Sequence, residues 1–178
     1  MSRIQPLTLE SAAPEAQTLL NGVKAKIGMV PNLYATLAHA PTALEAILTL
    51  NGVIANGRLT ASQREVIALA VGQANECQYC VSAHTLLGKG AGLSEVQIAE
   101  ARQGRGTNAL HNAIADLATK IVRNRGVVSD ADLADAYEAG VDNGLLLEIV
   151  ANVVANIFTN YTNHIADTDI DFPTVSLD

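Results

Sequence analysis

Apolar residues recur at intervals of three and four along almost the whole of this 178-residue chain, and no stretch alternates as a half-buried strand does. That periodicity restricts the fold to an all-α class, a compact multi-helix domain in which each helix turns an apolar stripe inward. Proline, glycine and capping residues divide the chain into nine segments. The first covers about 13–26, with Pro14 tolerated in its first turn and Gly28 closing it. Pro31 opens a short helix to about 39, and Pro41 opens another to about 56, stopped by Gly57. Thr60 is a good N-cap for a helix to about 75. The next covers about 77–88, and Ser94 caps a short one to about 103. The last three cover about 107–125, 129–139 and 143–165. A single domain over 1–178 is expected: an N-terminal helix and linker (1–30), a core (31–166) and an acidic tail (167–178) in which Pro173 prevents further helix.

Of the residues, 49% are hydrophobic but only 3% aromatic, with no Trp, so the core must be built from Ala, Leu, Val and Ile. Such side chains suit closely packed helices. Mean hydropathy is +0.21, and a surplus of apolar surface on a small domain points to a subunit interface. A homo-oligomer is expected. The net charge of −7 and the lack of a basic cluster argue against nucleic acid as a partner. With no uninterrupted apolar run of about eighteen residues and no visible leader, no membrane partner is expected and a cytoplasmic location is. In that reducing compartment, two cysteines three apart are catalytic or metal-binding before they are structural.

Two local patterns have ordinary readings. Gly88-Lys89-Gly90-Ala91-Gly92 lacks the spacing of a phosphate-binding loop and reads as a helix C-cap and turn. Asn160-Tyr161-Thr162 matches a glycosylation sequon but falls within a predicted helix. A third pattern is an internal echo. Glu65, Cys77, Cys80 and His84 are spaced 12, 3 and 4 apart, and Glu148, Asn160, Asn163 and Asp167 repeat those intervals. Leu93-Ser94-Glu95 likewise resembles Val128-Ser129-Asp130. The echo suggests a duplicated helical unit that kept its chemistry only in the first copy.

That chemistry is the constellation Glu65-x11-Cys77-Gln78-Tyr79-Cys80-x3-His84. On a helix, positions i, i+3 and i+7 share one face, and an i to i+3 pair of cysteines lies about 5–6 Å apart at Cα, within disulfide reach. The first turn of a helix favours a thiolate through its unpaired amides and dipole. His84, one turn beyond Cys80, can accept its proton directly or through a water. If the chain reverses near Asn75-Glu76, Glu65 and His84 come level on antiparallel helices, and a carboxylate there would orient the imidazole. Other readings stay open at this point: a zinc site formed by Cys77, Cys80, His84 and Glu65, or a purely structural role. A thioredoxin-type centre lacks its βαβ context, and haem attachment would need His where Val81 stands. No cofactor is expected. Tyr79 and His164 are candidates to line a pocket, whereas His39 and His111 read as surface or packing residues.

The motif resembles the alkylhydroperoxidase D-like branch of the carboxymuconolactone decarboxylase superfamily. The likeness runs from about Pro31 to the end of the chain. It includes Leu59-Thr60, Gly92-Leu93-Ser94, and the closing segments Asn160-Tyr161-Thr162-Asn163-His164 and Asp171-Phe172-Pro173, the last two similar to members described as peroxidase-related. The resemblance implies an all-α trimer or hexamer that reduces hydroperoxides. It implies that Cys80 is oxidised to a sulfenic acid, that Cys77 resolves it to a disulfide, and that Glu65 and His84 relay protons. It also implies a thiol reductant, which in the prototypes is a lipoyl-bearing partner protein. The chain departs from the prototypes at Tyr79, where they often carry histidine. A redox-responsive or electron-donor module is the alternative, and lactone decarboxylation the lesser inheritance, since that branch generally lacks the cysteine pair.

Overall fold

A computed structural model describes residues 2–178, which form nine α-helices and no strand. They are α1 (Pro14–Ile27), α2 (Asn32–Leu37), α3 (Pro41–Ile54), α4 (Ala61–Ala74), α5 (Gln78–Gly90), α6 (Glu95–Arg102), α7 (Ala109–Arg123), α8 (Asp130–Glu138) and α9 (Asn143–Ala166). The helix starts are chemically marked. Capping boxes at Thr60/Gln63, Ser94/Gln97 and Ser129/Asp132 satisfy the first amides of α4, α6 and α8. Gly92, at φ +88°, makes the turn after α5, in keeping with the ordinary reading of that glycine run.

Helix α4 is the axis of the domain. Its segment Val66–Gly72 is buried on every side, which is why its apolar residues show no single stripe. Helices α5, α6, α7 and α9 pack around it. One core cluster joins α4 to α6, α7, α8 and α9, with Ile67, Leu69, Ile114, Leu117 and Ile149 at its centre. A second lies between α1, α2 and α3 and includes Cys77, Tyr79, Cys80 and Ala155. The cysteine motif therefore sits where two apolar cores meet. Helix α9 has the length and the mean hydropathy (1.3) of a bilayer-crossing helix. One of its faces is nevertheless committed to the domain, through Leu145, Ile149, Asn152 and Val153.

The two members of the echo are built on different backbones. In the first, the chain breaks between α4 and α5, whereas Glu148, Asn160 and Asn163 all lie on the unbroken helix α9. Glu148 acts as a latch: its Oε2 accepts from the backbone N–H of Arg58 (2.7 Å) and of Leu59 (3.3 Å). A Cβ at Gly57 would come within 2.5 Å of that oxygen, so a larger residue there would push the Glu148 carboxylate off its two N–H partners. Arg58 also pairs bidentately with Asp142, the N-cap of α9. Together these contacts tie the start of α4 to the start of α9.

The tail after α9 is extended, as Pro173 suggests, but it is bound to the domain rather than loose. The Val175 N–H donates to Ser82 Oγ (3.0 Å), and Gln73 Nε2 donates to the Leu177 carbonyl (2.9 Å). It straps the outer side of α5.

Candidate active site

The cysteine motif owes its position to a three-residue reversal between α4 and α5. Glu76 adopts a left-handed conformation (φ +56°), a strained state for a residue with a Cβ, and the Cys77 N–H then bonds back to the Gly72 carbonyl (2.9 Å). Cys77 thereby becomes the N-cap of α5, one residue before the helix rather than in its first turn. Its Sγ takes the role usually held by a serine oxygen, accepting from the Cys80 N–H at 3.4 Å. Both cysteines are free thiols and both are buried, at 1% and 3% exposure.

Around this pair the structure brings together all four residues of the motif. His84 Nδ1 donates to Glu65 Oε2 at 2.8 Å, with the two side chains 22% and 18% exposed. Cys80, His84 and Glu65 line one cavity of about 260 Å³, whose other walls include Tyr34, Tyr79, Leu87 and Phe172. Cys77 does not reach it. No hydrogen bond joins His84 to either sulfur among the described residues. Nor, among them, is any group of three His, Cys, Asp or Glu side chains arranged to hold a metal ion.

The charges fall differently from the expectation. The Cys80 thiol and N–H both hydrogen-bond to Cys77, and they hold the Cys77 thiol below its ordinary value in spite of burial. Burial pushes Cys80 well above its ordinary value, and the hydrogen bond and charge of Cys77 push the same way. The pair titrates as a unit, so its first negative charge rests on Cys77. Cys80 is thus not the more acidic thiol; both are buried, and its distinction is that it faces the cavity. Burial acts to lower the His84 value, but the Glu65 carboxylate outweighs it and the value is raised. His84 therefore holds its proton more firmly than a free imidazole and is better suited to give a proton than to take one from Cys80.

Tyr79 lines the cavity as expected, and it is tied in place from several sides. Its OH donates to Asp171 Oδ1 (2.8 Å) and accepts from the Leu33 N–H (3.2 Å), and its ring meets Phe172 edge to face at 5.6 Å. Burial raises its phenol far above the ordinary value, so it stays neutral. His164 is a correction: it is exposed on the last turn of α9, five residues and so well over a right angle past Thr159, which does face the cavity. His39 is exposed and bonds to the Gln5 carbonyl (2.9 Å).

Several residues of the site escaped the sequence reading. Asn163 Nδ2 donates to Cys80 Sγ at 3.3 Å in a buried setting, and Asn160 lies beside it. Asp171 and Phe172 secure Tyr79. All four stood in the closing segments on which the family likeness rests, and Asn160 and Asn163 matched the cysteines in the echo. The second member of the echo thus holds no thiol or imidazole of its own, but its amides lie against Cys80 of the first.

The fold and site define an all-helical protein with a buried Cys-x-x-Cys pair and a carboxylate–imidazole pair opening on an apolar cavity. Residues 41–123 match the model of the carboxymuconolactone decarboxylase family, which bears out the resemblance read from the sequence. The whole chain has the fold of an alkylhydroperoxidase-core, peroxidase-related protein of uncharacterised function from Ralstonia eutropha (24% identity, TM-score 0.85, covering 96% of this chain and 92% of that one). A second peroxidase-related protein, from Silicibacter, has the same fold (24% identity, TM-score 0.74, 97% and 93% covered). So does a debrominase crystallised with 2,3,4-tribromopyrrole (19% identity, TM-score 0.80, 94% and 91% covered). No curated protein matches the chain.

Proposed function

We propose that the protein is a thiol-dependent peroxidase for bulky, apolar hydroperoxides. The observation that carries this reading is the placement of Cys80, beside the Glu65–His84 pair, in the wall of an apolar cavity of about 260 Å³. Hydrogen peroxide would leave most of that volume unfilled. Transfer of the shared proton from Cys80 to Cys77 makes Cys80 the thiolate. Its sulfur attacks the terminal peroxy oxygen: the S–O bond forms, the O–O bond breaks, and the alkoxide leaves as an alcohol with a proton from His84. Cys80 is now a sulfenic acid, two electrons more oxidised. Cys77 Sγ displaces its oxygen as water and closes the disulfide, and an external dithiol, such as a lipoyl-bearing protein, restores the pair by exchange.

Peroxide consumption tests this, with dihydrolipoamide, thioredoxin and glutaredoxin systems compared side by side. Cumene hydroperoxide should be consumed faster than hydrogen peroxide. No consumption with any reductant would leave the redox module or the lactone decarboxylase. The cavity and the debrominase fold also support a second reading, reductive removal of bromine from a small ring. Cys80 would take the halogen, His84 would protonate the carbon, and Cys77 would release bromide as the disulfide closes. Bromide release from a bromopyrrole in the same assay separates the two.

Assembly is also proposed, with a definite surface. Leu147, Val150, Val154, Phe158, Tyr161 and Ile165 are all exposed and follow one another on α9 at intervals of three and four. They form an apolar stripe opposite the face that packs into the domain. A second copy of this chain is its natural cover, since the stripe is continuous and uncharged. Light scattering should show a trimer or hexamer, and Val154→Lys with Phe158→Lys should yield monomers that keep their helix content. A monomeric parent protein would remove the proposal.

A further inference from the structure

We propose that Asn160 and Asn163 form an amide cradle that receives the charge of Cys80 and the oxygen it acquires, making them positioning residues of the site. The inference rests on the peroxidase reading for the oxygen, but not for the charge. Asn160 is fully buried and Asn163 nearly so, three residues apart on the same face of α9. Asn163 Nδ2 already donates to Cys80 Sγ at 3.3 Å. Asn75 Nδ2 donates to Asn160 Oδ1 at 2.8 Å, which fixes the Asn160 amide with its NH₂ turned away from Asn75. Neither that NH₂ nor Asn163 Oδ1 makes a hydrogen bond of good geometry among the described residues, although the NH₂ lies near enough to Cys80 to favour its charged form.

A buried donor and a buried acceptor left idle in one patch are costly to a fold and call for a reason. A thiol has little use for them. A sulfenic acid hydroxyl accepts one hydrogen bond and donates one, and it forms on the very sulfur these side chains surround. Before oxidation, the same amides supply N–H donors to an anionic Cys80 sulfur, which burial and the neighbouring Cys77 otherwise disfavour. The titratable groups around Cys80 are Cys77 at the N-cap of α5, Tyr79 and His84 on α5, and Glu65 from α4. Helix α9 presents the two neutral amides, of which Asn163 also favours charge on Cys77. The cradle thus helps decide that the substrate-facing sulfur can carry charge at all, in the manner of an oxyanion site whose donors are set in advance.

The test uses the full chain in a Cys77→Ser background, so that Cys80 is the only thiol. The pH dependence of Cys80 alkylation by iodoacetamide gives its midpoint. Asn163→Ala and Asn160→Ala should each raise that midpoint by about one to two pH units, the effect of losing a hydrogen bond to a charged group. A midpoint unchanged in both overturns the cradle. A second measurement needs no change at either asparagine: the side-chain amide NMR signals of Asn160 and Asn163 should move when Cys80 ionises, and Asn160 again when one equivalent of cumene hydroperoxide oxidises it. Stationary signals overturn the proposal even if an alanine variant fails to fold. If the midpoint moves but the parent consumes no peroxide, the peroxidase reading falls and the charge-holding cradle stands. If peroxide is consumed and the midpoint is fixed, the reverse holds.

Discussion

Cys80→Ser should abolish peroxide turnover, while Cys77→Ser should stop the cycle after one oxidation and leave a sulfenic acid on Cys80. The asymmetry comes from access, not acidity. The Cys77 thiol is the one held below its ordinary value, by its hydrogen bonds from Cys80, yet only Cys80 borders the cavity. A buried thiolate that a peroxide cannot reach does not react with it. Loss of Cys77 also removes the neighbouring charge that helps to push Cys80 up, so the trapped protein should still be oxidised once. A sulfenic-acid probe with mass spectrometry reads the site: label on Cys80 in Cys77→Ser is the expected result. Label on Cys77 in the Cys80→Ser protein would invert the assignment.

Glu65→Gln and His84→Gln should each slow turnover by about 10²- to 10⁴-fold, the usual span for an acid–base group, and the double variant should be little worse than the worse single one. The two act as a unit because the Glu65–His84 bond at 2.8 Å is what raises the imidazole above its ordinary value against the effect of burial. The sign follows. A histidine with a raised folded value donates its proton up to a higher pH, so the alkaline limb of the parent's pH–rate profile should lie above the ordinary imidazole range. In Glu65→Gln burial is opposed only by the charge of Cys77, and that limb should shift to lower pH. The pair's contribution to stability runs the same way: it is fully present below the unfolded imidazole value and is lost as pH rises through the raised folded one. Kinetic profiles of the four proteins, with thermal unfolding followed across the same pH range, measure both effects. Additive losses, or an alkaline limb unmoved by Glu65→Gln, would show that the residues do not form one relay.

Much of this architecture was legible because helices announce themselves locally. Thr60, Ser94 and Ser129 mark helix starts through side-chain bonds made within four residues, and Pro14 and Pro41 sit in first turns where their missing N–H costs nothing. The meeting of Glu65 with His84 was legible too, since a reversal at 75–77 and a fixed rise per residue leave little freedom in where the two come level. What the spacing could not show is how the charge divides within the cysteine pair. That depends on burial and on which sulfur the Cys80 N–H meets once Glu76 has turned left-handed.

By itself, then, the sequence determined the helices, their order and the grouping of Glu65, Cys77, Cys80 and His84, because these rest on local caps, helix periodicity and one short reversal. Only the tertiary structure decided which sulfur faces the cavity, that Glu65 raises His84 above its ordinary value, and that Asn160 and Asn163, more than eighty residues from the first cysteine, come to lie against Cys80. Burial and electrostatic balance are properties of everything packed around a group. Here they come from α9 and the C-terminal strap, whose approach to α5 no local pattern encodes.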